Sequence, residues 1–566
     1  MTADVWAGSH TTTPASGAIA FRADAVGFEE VTDRVGIRFV HQSPLTPERH
    51  THLAFGSGVA WLDFDHDGWP DLFAAQGAPF TAAGSSNGEF ASDGLYRNRS
   101  GSHFDDASQM CGLADSDYSM GVAVGDFDND GFPDVYVSNF GRNRLLRNCG
   151  DGTFLEAAAA SGVDDAGFGA SCTWLDLDSD GSLDLFVANY LDLDPENYQL
   201  CKVRHEDTDY GITCHPRTVP PTRDVLFRSL GDGHFSDDTQ KSGMTDSPPA
   251  QGLGVVAADL DADGDTDVYV ANDSVANDLW INDGGGRLIN EAVISGTAFN
   301  RSGQREAGMG VVAGDVDGDG RPDLFVTNYY GETNTLYRNE GAGLFLDVTD
   351  EFGLGNSSRL RLGFGTSLCD FNNDGWLDLF VANGHVHDRP EVLGPNVPFQ
   401  QRPQLFQNLA GRRFAEVSDS AGPYFQRLLV GRSSAAADYD RDGWQDLAVG
   451  HLNSPLVLLH NEARSANSAS LQVQLVGVNS NRDAIGAVLE IQAGENLLTR
   501  FRVGSSGYLS CDDGLLTIGL GTTAHPADVT VRWPDGKRET FRSLQIGQRH
   551  VLIEGRGAAP VSVSPR

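Results

Sequence analysis

The chain has 566 residues, with 40 Lys and Arg against 79 Asp and Glu, a formal net charge of -39. Apolar residues make up 40% and aromatics 9%, the composition of a folded chain too long for one ordinary core. A sequence-independent grip on nucleic acid needs a basic footprint, so DNA and RNA are excluded as partners, and so is attraction to anionic lipid. No run of 18 apolar residues exists, so no membrane span is expected.

Residues 1–24 read as a flexible N-terminal segment. They show no basic region followed by an apolar core, so no secretory signal is read and a cytoplasmic location is expected; a secreted one is expected instead if a leader precedes them. A strand-like pattern, FEEV, follows from Phe28. Then one nine-residue motif recurs seven times: DFDHDGWPD from Asp63, DFDNDGFPD from Asp126, DLDSDGSLD from Asp176, DLDADGDTD from Asp259, DVDGDGRPD from Asp315, DFNNDGWLD from Asp370 and DYDRDGWQD from Asp438. A stretch of small apolar residues precedes each copy, as in MGVAVG and QGLGVVAA, and a β-branched run such as DVYVSN or DLFVAN ends it. Next comes a segment of the LYRN type at Leu95, Leu145, Leu226, Leu279, Leu336 and Leu405. A glycine turn then leads to a fourth strand from Phe104, Phe154, Phe235, Leu288, Phe345 and Phe414.

Four short strands per repeat, arranged radially, make a β-propeller. The last repeat stops at LVLLHN, near Asn461, without a fourth strand. The strand at Phe28 is expected to supply it and close the ring, leaving no free sheet edge. The expected fold is therefore all-β: a seven-bladed propeller over 25–463, then a small β-sandwich or barrel over 464–555, then a disordered tail over 556–566. The second unit is read from the alternation in SLQVQLVGV, AVLEIQA, DVTVRW and HVLIEG. Trp533, in the turn WPDG, is either a core residue or a stacking platform for a ligand.

Asp at positions 1, 3 and 5, Gly at 6 and Asp at 9 is calcium-loop chemistry, because Ca²⁺ takes six to eight hard oxygen ligands at about 2.3–2.6 Å. The expected ligands are Asp63, Asp65, Asp67 and Asp71; Asp126, Asp128, Asp130 and Asp134; Asp176, Asp178, Asp180 and Asp184; Asp259, Asp261, Asp263 and Asp267; Asp315, Asp317, Asp319 and Asp323; Asp370, Asn372, Asp374 and Asp378; and Asp438, Asp440, Asp442 and Asp446. Setting aside these 27 aspartates leaves 52 acidic residues against 40 basic, so most of the acidity belongs to the loops. Up to seven structural Ca²⁺ ions are expected; catalytic use of ions so fully ligated is disfavoured.

The loops join the first and second strands of each repeat and so share one face. The opposite face carries the long connections, at about 40–55, 77–94, 191–225 and 384–404; connections longer than about 12–15 residues are usually functional or disordered. His41, His50, His52, His385, His387 and His451 gather there. They are either scattered loop histidines or candidates for a transition-metal or proton-transfer site. Cys201 and Cys214, flanked by His205 and His215, are a disulfide, a Zn²⁺ site or free thiols. Cys111, Cys172 and Cys369, inside apolar stretches, read as buried thiols.

The repeats resemble FG-GAP/VCBS repeats and are similar to the integrin α-chain propeller. The segment from about 465 to 555 resembles the ASPIC/UnbV domain through SNRDAIGA at Ser480, GSSGYLS at Gly504, GLG at Gly519 and WPDG at Trp533. The whole chain resembles the cartilage-acidic-protein-like family, whose UnbV-type members the family name ties to enediyne polyketide gene clusters. Three functions are therefore expected as alternatives. The first is a binding or assembly module that recruits a protein, a carrier-bound intermediate or a glycan. The second is a metal-dependent enzyme or accessory protein of natural-product biosynthesis. The third is an adhesin, if a leader exists upstream.

Overall fold

The computed structural model describes residues 26–43, 46, 49–77, 92–113, 118–193, 200–389, 397–463, 468–523 and 525–558. The flexible segment expected at 1–24 lies outside the described residues, as do 559–566 of the expected tail. The start of that tail departs from expectation. Ala558 exchanges backbone hydrogen bonds with Thr540 at 2.7 and 3.0 Å, so order extends past Gly555.

The chain is almost wholly β, and no described helix is long and apolar enough to cross a membrane. The repeat pattern becomes a recurring antiparallel order. Val59–Leu62, Asp71–Ala74, Gly94–Asn98 and Phe104–Asp106 pair in sequence. So do Gly252–Ala258, Asp267–Asn272, Asp278–Asn282 and Leu288–Asn290, then Gly308–Gly314, Asp323–Asn328, Thr335–Gly341 and Leu344–Asp347, then Gly363–Cys369, Asp378–Asn383, Gln404–Asn408 and Phe414–Glu416. Two groups merge. Tyr118–Gly125, Asp134–Arg142, Arg144–Asn148 and Phe154–Glu156 join Ala166–Leu175, Asp184–Asn189, Val225–Ser229 and Phe235–Asp237, because Asp134–Arg142 is long enough to pair with Ala166–Phe168. The last group, Gly431–Ala437, Asp446–His451 and Val457–Asn461, is completed by Phe28–Glu30, with Phe28 opposite Asn461. The N-terminal strand thus fills the place the sequence left open.

Apolar cores lie between neighbouring sheets. Leu177 and Phe186 meet Val255, Val268 and Trp280 across one such seam, and Val312 and Phe325 meet Leu379 and Phe406 across another. Burial of these side chains supplies the driving force, about 1.5–3 kcal/mol for each large one. Polar latches fix the spacing. Asn98, Asn148, Asn282, Asn339, Asn408 and Asn461, the last residues of the LYRN-type segments, each donate from Nδ2 to a carbonyl of the preceding repeat: Tyr439, Phe64, Leu177, Leu260, Val316 and Phe371. The Asn98–Tyr439 bond, 2.8 Å, joins the first repeat to the last. Ser229 stands at the same place in the third repeat.

Past residue 468, two sheets enclose a separate core. Ala469–Val476 pairs with Leu516–Gly521 and, in parallel, with Arg549–Ile553; Val488–Ala493 lies between Asn496–Phe501 and Ala527–Arg532, which pairs with Arg538–Leu544. Leu471, Leu489, Ile491, Ile518 and Val529 fill the space between. Trp533 is 1% exposed within that core, so it packs the interior and is no surface platform for a ligand.

Candidate functional site

Each acidic motif forms the turn between an inner strand and its neighbour, and its ninth residue opens the second strand. Asp71 pairs with Leu62, Asp267 with Ala258 and Asp446 with Ala437. This ninth aspartate does more than the sequence suggested. One Asp71 oxygen accepts the Asn98 N–H at 2.7 Å and the other the Phe64 N–H at 3.1 Å. Asp134, Asp184, Asp267, Asp323, Asp378 and Asp446 repeat the arrangement. The residue is thus first a clamp between loop and third strand.

The other carboxylates converge. Ligand-capable atoms within 4.8 Å of one another come from Asp63, Asp65 and Asp71; Asp126, Asp128 and Asp134; Asp176, Asp178 and Asp180; Asp259, Asp261 and Asp263; and Asp440, Asp442 and His460. In the remaining two motifs the first aspartate organises the turn: Asp315 accepts the Asp319 and Gly320 N–H groups, and Asp370 those of Asp374 and Gly375. Burial, then neighbouring carboxylates, push Asp63 and Asp126 up to about 7 and Asp438 up to about 8. Carboxylates crowded this way require a countercharge. Asp63 Oδ1 and Asp259 Oδ1 are buried without a hydrogen-bond partner. Apart from His460 in the last loop, the donors are all oxygens, and such a set with unpartnered buried oxygens suits a hard cation such as Ca²⁺.

Part of the countercharge is built in. From the third strands, Arg97 pairs with Asp65, Arg147 with Asp128 (2.6 Å), Arg228 with Asp178 (2.7 Å) and Arg338 with Asp317 (4.0 Å), while His460 Nδ1 lies 3.6 Å from Asp440. All five partners occupy the third motif position. The arginine of LYRN was the signal for this in the sequence.

The C-terminal segment covers this same face. Asp483 accepts the Asp126 N–H at 2.7 Å, Arg549 reaches the Gly68 carbonyl at 3.0 Å, Arg500 the Gly375 carbonyl at 2.9 Å, and Gln472 reaches Asp438 at 2.5 Å. Arg532 lies 2.6 Å from Asp259. A cavity of about 390 Å³ remains between the two parts, bordered by Asp63, Arg482, Arg502, Asp513 and Arg549. From the covering segment, residues 504–512 descend among the inner strands. Gly507 exchanges backbone hydrogen bonds with Val311 at 2.8 and 2.9 Å, Val122 donates to Leu509, and Cys511 bonds to Val59 and Trp61. This explains the glycines of GSSGYLS: a side chain on Gly504 would meet the Trp174 carbonyl at 2.0 Å, and one on Gly507 the Thr366 carbonyl at 2.5 Å. Tyr508 and Leu509 end in a core shared with Phe55, Met120, Phe168, Leu253, Met309 and Phe364.

Those residues border the opposite face, where the structure sorts the histidines. His41 bonds Ser57 Oγ at 3.1 Å and accepts the Asn453 N–H, and His451 bonds Tyr424 at 3.0 Å and the Pro455 carbonyl at 3.1 Å. Both rings are therefore occupied as structural links. His52 stacks on Phe140 with centroids 4.0 Å apart, and its ring lies 6.2 Å from that of His50. His385 stands 5.4 Å from His387 and meets Tyr329 and Tyr330 edge-on. Burial lowers His41 and His385 to about 3 and His387 and His451 to about 4, so these imidazoles are neutral. The loops carrying the two histidine pairs are tied together. Arg49 grips Asp388 through both oxygens at 2.6 and 2.9 Å, and buried Arg432 donates to the carbonyls of Ala54, Gly384 and His385 while lying 4.2 Å over the Phe364 ring.

Cys201 and Cys214 are joined as a disulfide across the base of a hairpin, Cys201–His205 with Thr208–Ile212, that closes on this face. The pair is thus neither a Zn²⁺ site nor two free thiols. His205 is exposed, and His215 caps the short turn at Pro216–Thr218. Cys111 and Cys172 are buried as expected, whereas Cys369 is only partly so. Of the long connections, 78–91, 194–199 and 390–396 lie outside the described residues.

With this geometry in place, the chain can be assigned to a class. It is an FG-GAP-repeat protein: the FG-GAP-like repeat family model matches residues 63–137, 126–187, 217–270, 259–326, 315–381 and 370–449. The ASPIC and UnbV family model matches residues 477–559. Cartilage acidic protein 1 of Xenopus tropicalis is 26% identical over 295 residues, 44% of this chain and 44% of that protein. Integrin alpha-3 of Cricetulus griseus is 37% identical over 91 residues, 16% of this chain and 8% of that one. The chain therefore aligns with less than half the length of these curated relatives. A solved structure of an Agrocybe aegerita lectin that recognises non-reducing terminal N-acetylglucosamine matches with a TM-score of 0.37 and 16% identity, over 64% of this chain and 79% of that one, too slight a likeness to carry an argument.

Proposed function

We propose that the chain is a calcium-stabilised, seven-bladed propeller over 25–463 with an ASPIC/UnbV unit over 464–555, and that it works as a binding module through the face opposite the acidic loops. One observation carries this reading. The C-terminal segment caps the acidic-loop face and fills the space between the inner strands, so the other face is where a partner has access. The aspartates at motif positions 1, 3 and 5 are the proposed Ca²⁺ ligands, with the ninth closing the loop. The partner class is a protein or a glycan. Tyr329, Tyr330, Tyr210 and Arg389, which lies 5.5 Å over the Tyr210 ring, offer the stacking and planar donors that such ligands use. A histidine-centred enzyme is disfavoured, because both ring nitrogens of His41 and of His451 are already engaged. The Cys201–Cys214 disulfide favours an oxidising, extracytoplasmic setting over the cytoplasm.

The test is a screen of glycans and of a surface-protein library with the full chain, repeated with Tyr210→Ala and Arg389→Ala together. Binding that is calcium-dependent and lost in the double variant supports the reading. Binding that survives the double variant but is abolished by changing Arg538 and Arg542, on the C-terminal sheets, would move the site to the other end of the molecule.

A further inference from the structure

The seven acidic loops are not equivalent. In five, a cation from the third strand faces the carboxylate at motif position 3. In the sixth, both are neutral: Asn372 holds the third position and Gln407 the strand position. The fourth loop alone keeps its carboxylate, Asp261, while Ile281 stands where the others place a cation. Its positive partner comes from elsewhere. Arg532, at the end of the C-terminal strand Ala527–Arg532, places Nη2 2.6 Å from Asp259 Oδ2 and donates from Nη1 to the Gly264 carbonyl at 3.3 Å. The Asp259 side chain is 9% exposed, and its other oxygen, Oδ1, is buried with no hydrogen-bond partner. Asp259, Asp261 and Asp263 each bring a ligand-capable oxygen within 4.8 Å of the others.

We infer that Arg532 is a positioning residue for the Asp259 loop: it holds Asp259 by one oxygen, aims the other at a bound cation, and so makes this loop's cation affinity depend on the docked C-terminal segment. The inference rests on the calcium reading proposed above. A partner that orients a ligating carboxylate commonly changes metal affinity 10–100-fold. Linkage makes the effect reciprocal, so a cation in this loop tightens the docking of the segment that carries Arg532.

The experiment is a calcium titration of the full chain against a chromophoric chelator, on wild type, Arg532→Met, Arg532→Lys and Arg538→Met, with circular dichroism to confirm folding. Arg538 pairs with Glu490, away from the acidic loops, and serves as the control. The expected result is a loss of about tenfold or more at one site in Arg532→Met, partial recovery in Arg532→Lys and none of this in Arg538→Met. A folded Arg532→Met that titrates like wild type overturns the inference. Should that variant fail to fold, Arg532→Lys carries the test: a smaller loss confined to one site supports the inference, and an unchanged titration overturns it. Wild type that binds no Ca²⁺ would overturn the calcium reading itself, a result distinct from either.

Discussion

At one end of the inner strands, 27 aspartates and one asparagine crowd into turns that meet Arg500, Arg532 and Arg549 of the C-terminal segment. At the other end, histidines, tyrosines and phenylalanines meet each other and a few backbone carbonyls. The segment 468–558 has nine basic and nine acidic residues, so the rest of the chain carries the whole net charge of -39. Net charge alone would not dock a neutral segment. Placement does, because several of its arginines sit where the acidic turns are. The charged end is thus covered by the chain's own parts, while the C-terminal sheets leave the aromatic end uncovered, and this difference is what the proposed binding role rests on.

Removing divalent cations breaks the comparison most directly. With the loops unneutralised, the acidic end is expected to repel itself and shed the segment above it, whereas the aromatic end has no such demand. Under the proposed calcium reading, each saturated site would add about 2.7 kcal/mol at free Ca²⁺ a hundredfold above its Kd. Melting with excess chelator and then with restored Ca²⁺ should therefore show a large, reversible drop. An unchanged melting curve would mean that the arginines and His460 neutralise the loops unaided.

Tyr508→Ala tests whether the two ends are connected. Tyr508 is fully buried, 5.0 Å from the Phe364 ring, and its hydroxyl reaches the Phe55 carbonyl at 3.4 Å. Loss of a large buried aromatic ring costs about 3–5 kcal/mol. Denaturant unfolding should show that loss. Hydrogen exchange should quicken at Thr51–Ala54 and 384–389, on the aromatic face, although the substitution lies in the segment that caps the acidic one. Faster exchange confined to the C-terminal sheets would separate the two ends.

Much of this architecture is legible in the sequence, for stated physical reasons. The aspartate motif, the strand alternation and the surplus strand at Phe28 are local or periodic, and each survives folding unchanged. What the sequence hides is long-range. GSSGYLS carries no sign that its glycines are needed for close approach to Trp174 and Thr366, because those neighbours are over a hundred residues away. The histidines cluster in sequence, yet two of them are spent on hydrogen bonds to Ser57 and Tyr424 that only tertiary structure reveals. Arg432 gave no signal at all, being one arginine in an ordinary strand pattern.

A third experiment sharpens the role of the asparagine latches. Asn148 donates to the Phe64 carbonyl at 2.8 Å and accepts the Gly150 N–H at 3.0 Å, whereas Ser229, its counterpart one repeat on, makes no bond of the first kind. Asn148→Ala should cost about 1–3 kcal/mol, the penalty for a buried polar group left unsatisfied. Asn148→Ser should cost less, since the third repeat already tolerates serine. An Asn148→Ser variant as stable as wild type would show that the bond between repeats, lost in both variants, contributes nothing.

The last experiment concerns the turn that carries SNRDAIGA to the acidic face. Glu554 Oε2 accepts the Val478 and Asn479 N–H groups at 2.8 Å and that of Ser480 at 3.0 Å. Burial opposes ionisation, but these three donors, with the Asn479 amide donating to Oε1 at 3.2 Å, outweigh it and pull the carboxyl down to about 2, from an ordinary value near 4.5. A carboxyl whose pKa is depressed in the fold contributes stability that is fully present above the ordinary value and is lost as the pH falls through the folded one. Glu554→Gln keeps the shape and removes the charge. The stability gap between wild type and Glu554→Gln, read from urea unfolding, should therefore be constant above pH 5 and shrink steadily between about 4.5 and 2. A gap that does not change across that range would mean the turn is held by shape alone. A gap that vanishes already at pH 6 would mean the charge is not held by these donors.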